Sequence, residues 1–178
     1  LSLALVCLGY PSDLSRITHE ARLKTEASVA YALAHLLHKC SPTSKIAIAT
    51  PYRDQKDAVQ SLISKAYATD SSHGLAHAME RLDVNNTILQ PKIVVETIER
   101  LQGSEADFVI CLFSMLQKKG DNSFIFDRRR LNVAITRSKA LCILITSEEV
   151  LRPTASVLAN ENTLKGYQFL KAYEERAW

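Results

Sequence analysis

Five short runs of aliphatic and β-branched residues punctuate the chain: LALVCLG at 3–9, KIAIAT at 45–50, KIVVET at 92–97, DFVICLF at 107–113 and LCILIT at 141–146. They lack the apolar–polar alternation of a strand with one wet face, so each reads as a strand covered on both sides. Longer stretches of helical periodicity separate them. Over residues 24–39, Ala27, Ala30/Tyr31, Ala34 and Leu37 share one face, and Ser41-Pro42 closes the helix. After Pro51, Val59, Leu62/Ile63 and Ala66 repeat the pattern, and further helices are expected over about 127–138 and 163–177. Strands buried on both faces and separated by helices require an α/β fold with a largely parallel sheet flanked by helices on both faces. No internal repeat, low-complexity tract or linker breaks residues 1–178, so one domain is expected. Residues 69–90 are polar, with a short helix expected around 76–81, and residues 117–123 read as a polar loop.

With 47% hydrophobic and 23% charged residues the chain has a globular composition, which excludes a disordered tail. A formal charge of +3 is too mild for a histone-like binder, so any nucleic-acid contact must come from local clusters. The longest apolar run, residues 3–8, is too short to span a bilayer and has neither the basic flank nor the cleavage site of a signal peptide, so no membrane partner is expected. The chain starts at Leu rather than Met, which reads as a piece of a longer protein. Cys7, Cys40, Cys111 and Cys142 form no CxxC and have no His at zinc spacing, so no metal site is expected. All but Cys40 sit in apolar runs and read as buried free thiols, which points to a reducing compartment, cytoplasmic or nuclear. The triplet Asn85-Asn86-Thr87 fits a glycosylation pattern, but nothing else in the chain suggests secretion.

In open parallel sheets ligands gather outside the carboxyl ends of the strands, so the segments that leave each run are the candidates for chemistry. After the second run comes Thr50-Pro51-Tyr52-Arg53-Asp54-Gln55. Thr50 suits a helix N-cap with Pro51 at the first helical position, and a well-started helix is the plainer reading. A helix N-terminus also attracts anions, and Tyr52, Arg53 and Gln55 could meet a phosphate or a base face. Thr97-Ile98-Glu99-Arg100-Leu101-Gln102-Gly103-Ser104-Glu105 closes the third run and leads away from it. There Gly103 permits close backbone approach and Glu105 could accept from a sugar hydroxyl, although a solvated connection explains the segment equally. The third segment, Asp127-Arg128-Arg129-Arg130-Leu131-Asn132-Val133-Ala134-Ile135-Thr136-Arg137-Ser138-Lys139, places Asp127, Arg130, Ala134 and Arg137 on one helical stripe beside the apolar Leu131 and Ile135. Two arginines on one stripe suit a planar phosphate clamp better than an ordinary solvated face.

These segments, in this order, resemble the second RecA-like domain of superfamily 1 helicases, and within them the superfamily 1B group of the nonsense-mediated-decay helicase. KIAIATPYRDQ resembles the family's strand and TPYxxQ segment; VVETIERLQGSEADFVI resembles its motif V; RRLNVAITRSK is similar to its motif VI, RRLNVALTRAR. Lys24-Thr25-Glu26-Ala27 also looks like the family's entry into the helix before that strand, and the likeness runs from about residue 20 to 150. The resemblance implies a RecA-like, P-loop NTPase fold over residues 1–178 and an ATP-dependent helicase in the full protein. It implies that Arg137 is the arginine finger that reaches the γ-phosphate, a group worth roughly three to five orders of magnitude in rate. Arg130 would support that phosphate or orient Arg137, Glu105 would meet the ribose, and Gly103 would allow close approach. Thr50, Pro51, Tyr52, Arg53, Thr97 and Gln102 would face single-stranded RNA or DNA or couple it to the ATP site, while Asn132 is open between a site role and simply bracing its helix. Glu99 stands where Asp is common, Leu101 where Phe is usual, and Ser138-Lys139 where Ala-Arg is usual.

No GxxxxGK[ST] phosphate loop occurs in the chain, and no acidic cluster offers a Walker B site for Mg²⁺. In the family those parts belong to the first RecA-like domain, which is the expected partner within the same full-length chain and the expected holder of Mg²⁺ beside ATP. Taken alone, the chain would then be inactive. Two other functions are compatible with the residues: a non-catalytic helicase-like module that binds nucleic acid or protein, and a Rossmann-type enzyme. The last lacks the Gly-rich turn it would need after residues 3–9.

Overall fold

The computed structural model describes residues 1–10, 17–72, 93–114 and 124–178. Five strands form one sheet: β1 (Ser2–Leu8), β2 (Ile46–Thr50), β3 (Ile93–Thr97), β4 (Ala106–Phe113) and β5 (Ser138–Ser147). Every pairing is parallel, in the order β1-β5-β4-β2-β3. The expected α/β, RecA-like fold with helices on both faces is therefore present. Helices α1 (His19–Cys40), α2 (Arg53–Ser72), α3 (Arg128–Thr136), α4 (Glu148–Leu151), α5 (Ala155–Leu158) and α6 (Glu161–Glu174) connect the strands or extend beyond the last one, and a 3-10 turn covers Ile98–Leu101. The short helix expected at 76–81, the loop at 117–123 and the triplet at 85–87 lie outside the described residues.

The sheet separates two apolar layers because alternate residues of each strand point to opposite faces. On one face Ile46, Ile48, Ile110, Leu112, Ile143 and Ile145 pack under Ala27, Ala30 and Ala34 of α1 and Val59 of α2. The small α1 residues let that helix lie close to the strands. On the other face Ala47, Ala49, Val109, Cys111, Cys142 and Leu144 pack under Leu131 and Ala134 of α3 and Leu170 and Tyr173 of α6. Tyr173 donates from its hydroxyl to the carbonyls of Ala4 and Cys142, at 3.0 and 2.9 Å, which ties α6 across β1 and β5.

Several boundaries differ from the sequence expectation. α1 begins five residues early because Thr18 caps it, accepting from the Ala21 N–H at 3.1 Å. α2 begins at Arg53 instead of Pro51, and the Thr50 hydroxyl, expected to cap it, is fully buried without a hydrogen-bond partner. α3 stops at Thr136, and β5 starts at Ser138, three residues before its apolar run, because Ser138 pairs with Ala106 of β4. α6 starts at Glu161 because the Asn160 side chain accepts from the N–H groups of Asn162 and Thr163. All four cysteines are free, and Cys111 and Cys142 are buried as expected. Cys7 is exposed, near the carboxyl end of the edge strand β1. Burial holds the thiol of Cys142 protonated, with its pKa pushed up to about 11. No described helix is long and apolar enough to cross a membrane.

Candidate functional site

Thr50 and Thr97 end neighbouring strands and are register partners, so the first two candidate segments leave the sheet side by side at its carboxyl edge. The chain after Thr97 then turns back across the face of the sheet, through Ile98 and Leu101, which are buried, to reach the amino end of β4 at Ala106. α3 makes the same journey from the carboxyl end of β4 to the amino end of β5. Turn and helix lie together, with Ile98, Leu101, Leu131 and Ala134 in one core cluster. The candidate residues therefore divide between two ends of the sheet.

At the carboxyl edge a cavity of about 540 Å³ is lined by Pro51, Arg53, Lys56, Thr97, Glu99 and Phe124, among others. Arg53 is exposed at its rim, whereas Thr50 and Pro51 are buried beneath it. Tyr52 is half-buried and stacks on Phe124 with ring centroids 5.2 Å apart. Gln55 does not reach this surface. It is 1% exposed and donates from Nε2 to Glu26 at 2.7 Å and to Ser114 at 3.2 Å. Glu26, equally buried, also accepts from the Ser114 hydroxyl at 2.5 Å and the Tyr10 hydroxyl at 3.4 Å. This network braces the exits of β1, β2 and β4 from below. Lys56 pairs with Glu96 at 2.9 Å, and its hydrogen bond holds the Glu96 carboxyl below its ordinary pKa.

Arg130 belongs to this end too. Asp127 caps α3 by accepting from the Arg129 N–H at 2.9 Å, which places Arg130 in the first turn. Its guanidinium pairs with Glu99, lies 3.8 Å from Asp127, and sits 3.2 Å above the centroid of the Phe124 ring. Phe124 carries no motif signal in the sequence; its one mark is being an aromatic three residues before the Asp127 cap.

Arg137 stands at the other end, as the C-cap of α3, roughly 10 Å along the axis from Arg130. The two arginines do not form the clamp expected from a shared stripe. Between them Ala134 turns into the core and is fully buried. The Arg137 carbonyl accepts from the Ala106 N–H at 3.0 Å, which sets it against the segment carrying Glu105. Its side chain is half-buried: Nε is buried without a hydrogen-bond partner, and an Nη lies 3.4 Å from the Thr136 hydroxyl. Glu105 is exposed and pairs with Lys139 at 3.1 Å, an exposed contact that costs little to exchange. Gly103 has φ +82°, a conformation that favours glycine, and with Gln102 it forms the exposed corner before Glu105. Asn132 is exposed on α3. Among the described residues no group of three or more His, Cys, Asp or Glu side chains could hold a metal ion.

A family model described as an AAA domain (AAA_12) matches residues 12–149, a stretch containing both ends of this site. The chain belongs to that family. Its relatives place it among superfamily 1 helicase-like domains. It is 27% identical over 158 residues to "Putative ATP-dependent RNA helicase ECM32" of Saccharomyces cerevisiae, covering 79% of this chain and 14% of that protein. With regulator of nonsense transcripts 1 of Dictyostelium discoideum it shares 31% identity over 128 residues, 71% of this chain and 8% of the other. DNA-binding protein SMUBP-2 of Rattus norvegicus is 28% identical over 81 residues, 46% of this chain and 7% of the other. The AAA domain described here thus spans a small part of each of these relatives.

Proposed function

We propose that this chain is the second RecA-like half of an ATP-dependent nucleic-acid helicase or translocase of the nonsense-mediated-decay helicase group. The observation that carries the reading is Arg137, a guanidinium with a buried, unpartnered Nε, held by its own backbone against the Gly103–Glu105 corner. That atom is closed to solvent, so an incoming phosphate would meet the terminal nitrogens of the half-buried side chain and supply the counter-charge the guanidinium lacks among the described residues. Gly103, Glu105 and Arg137 would hold ATP from this side: Arg137 at the γ-phosphate, where charge develops during transfer, and Glu105 at the ribose. ATP supplies the phosphoanhydride bond whose hydrolysis drives stepping. The phosphate loop and the Mg²⁺ ligands are assigned to the first RecA-like domain of the same full-length protein. Single-stranded RNA or DNA would cross the carboxyl edge, over Tyr52, Arg53 and Thr97, with Thr50 and Pro51 shaping the floor, while Gln102, at the far corner beside Gly103, would couple the strand to the ATP site. The names of the relatives, an RNA helicase and a DNA-binding protein among them, support this substrate class.

A half-site makes a simple demand. The 178-residue chain by itself should not turn over ATP, whatever strand is added. Turnover by the purified chain at a helicase-like rate, measured as phosphate release, would overturn the assignment.

A further inference from the structure

The resemblance of the third segment to a helicase motif leaves Arg130 either supporting the phosphate or orienting Arg137, and its contacts with Glu99, Asp127 and Phe124 decide between the two. We infer that Arg130 is a positioning residue, which pins the first turn of α3 to the turn after β3 and thereby fixes where Arg137 stands. This rests on the reading of Arg137 as the phosphate-facing arginine.

Arg130 is already satisfied. Glu99 and Asp127 both stand against its guanidinium, and the Phe124 ring covers one side of it. Two carboxylates beside one cation neutralise it and repel an incoming phosphate, so the arrangement is a poor anion site. It is a good clasp. Through Tyr52, stacked on Phe124, the same cluster reaches the segment that starts α2, so three chain segments at the carboxyl edge meet on one guanidinium. Between Arg130 and Arg137 the helix is anchored by Leu131 and Ala134, which share a core cluster with Ile98 and Leu101 of the turn. At the far end the Ala106 N–H to Arg137 carbonyl bond joins turn and helix again. Turn and helix are thus joined at both ends. Releasing the Glu99 end lets the helix shift against the turn, and a shift on the order of 1 Å at a phosphate-facing group can cost about a hundredfold in rate.

The experiment uses the full protein that carries this chain and measures strand-stimulated ATP hydrolysis, with thermal unfolding to confirm folding. Arg130→Gln and Glu99→Gln should each lower kcat by about tenfold to a hundredfold, with KM for ATP held within about twofold. The double variant Glu99→Gln with Arg130→Gln should lose no more than the worse single variant, because both changes open the same clasp. If Arg130→Gln instead raises KM for ATP tenfold or more, or Glu99→Gln is silent, or the two losses multiply in the double variant, Arg130 is not acting through Glu99 and the inference falls. Arg137→Ala is run alongside. If that variant keeps full turnover, the reading of Arg137 itself has failed, and that result is separable from a silent Glu99→Gln.

Discussion

α6 crosses the other layers at Gly166, and the consequence of adding one methyl group there can be worked through. A Cβ at this position would lie 1.5 Å from the carbonyl oxygen of Phe126, 2.4 Å from its carbon and 3.0 Å from its Cα. All three are backbone atoms of the residue preceding the α3 cap, so no side-chain rotation relieves the overlap. In a free helix Gly→Ala is favourable by about 1 kcal/mol. Here α6 would have to retreat by roughly 2 Å to restore ordinary contact, loosening Leu170 and Tyr173 from the core. Overpacking of this kind costs about 1–3 kcal/mol or more, and a rigid obstacle belongs at the upper end. The net expectation for Gly166→Ala is a loss of about 2 kcal/mol, or about 4–8 °C in Tm for a domain of this size. Gly9→Ala is the control, since nothing lies within 4 Å of its Cβ and its φ is ordinary; it should stay within about 0.5 kcal/mol of the parent. Gly103→Ala also meets open space, but at φ +82° it should cost about 1–2 kcal/mol. The assay is thermal unfolding by circular dichroism. A Gly166→Ala protein as stable as the parent, or more so, would refute the seating of α6 on the Phe126 backbone and with it the support given to α3.

Other expectations concern the polar groups. Glu26→Ala leaves the buried donors of Gln55 and Ser114 without their acceptor, which at about 1–3 kcal/mol each should lower stability by about 3 kcal/mol. Chemical denaturation measures this, and a loss under about 1 kcal/mol would show that the network does not brace the carboxyl edge. Acid should also destabilise the domain in a defined window. Glu96, held down by a hydrogen bond from Lys56, and Glu174, held down by Arg152 and Lys171, both have carboxyl pKa values below the ordinary 4.5. Their contribution is complete above that pH and is lost as pH falls through the lower folded values. Tm should therefore drop below about pH 4.5, and less steeply in a Glu96→Gln, Glu174→Gln protein; identical slopes would remove these two pairs from the explanation.

Strands 2 to 4 are legible because runs apolar on both faces fit a parallel sheet covered by helices, central for β2 and β4 and at the edge for β3, and the runs coincide with the strands to within a residue. The first three residues of β5 are not. Ser138, Lys139 and Ala140 carry no apolar signal, and only the pairing of Ser138 with Ala106 brings them into the ladder. The exposure of Cys7 is likewise hidden: an apolar run does not say whether its strand is central or at an edge, or which of its residues stay exposed near its end. In the site, the segments are visible but their division between two ends of the sheet is not. Helical spacing puts Arg130 and Arg137 on one stripe, yet helix length and the turn of Ala134 into the core separate them. Gln55 looks like a surface ligand because its partners, Glu26 and Ser114, are distant in sequence and meet it only through the fold.

Arg137→Ala in the full protein tests the central claim most directly, with steady-state ATP hydrolysis and single-strand binding measured on the same preparation. Hydrolysis should fall by roughly three orders of magnitude or more, while strand affinity stays within a few-fold of the parent. Hydrolysis at the parental rate, or a loss of strand binding that accounts for the whole defect, would contradict the assignment of that guanidinium to the nucleotide.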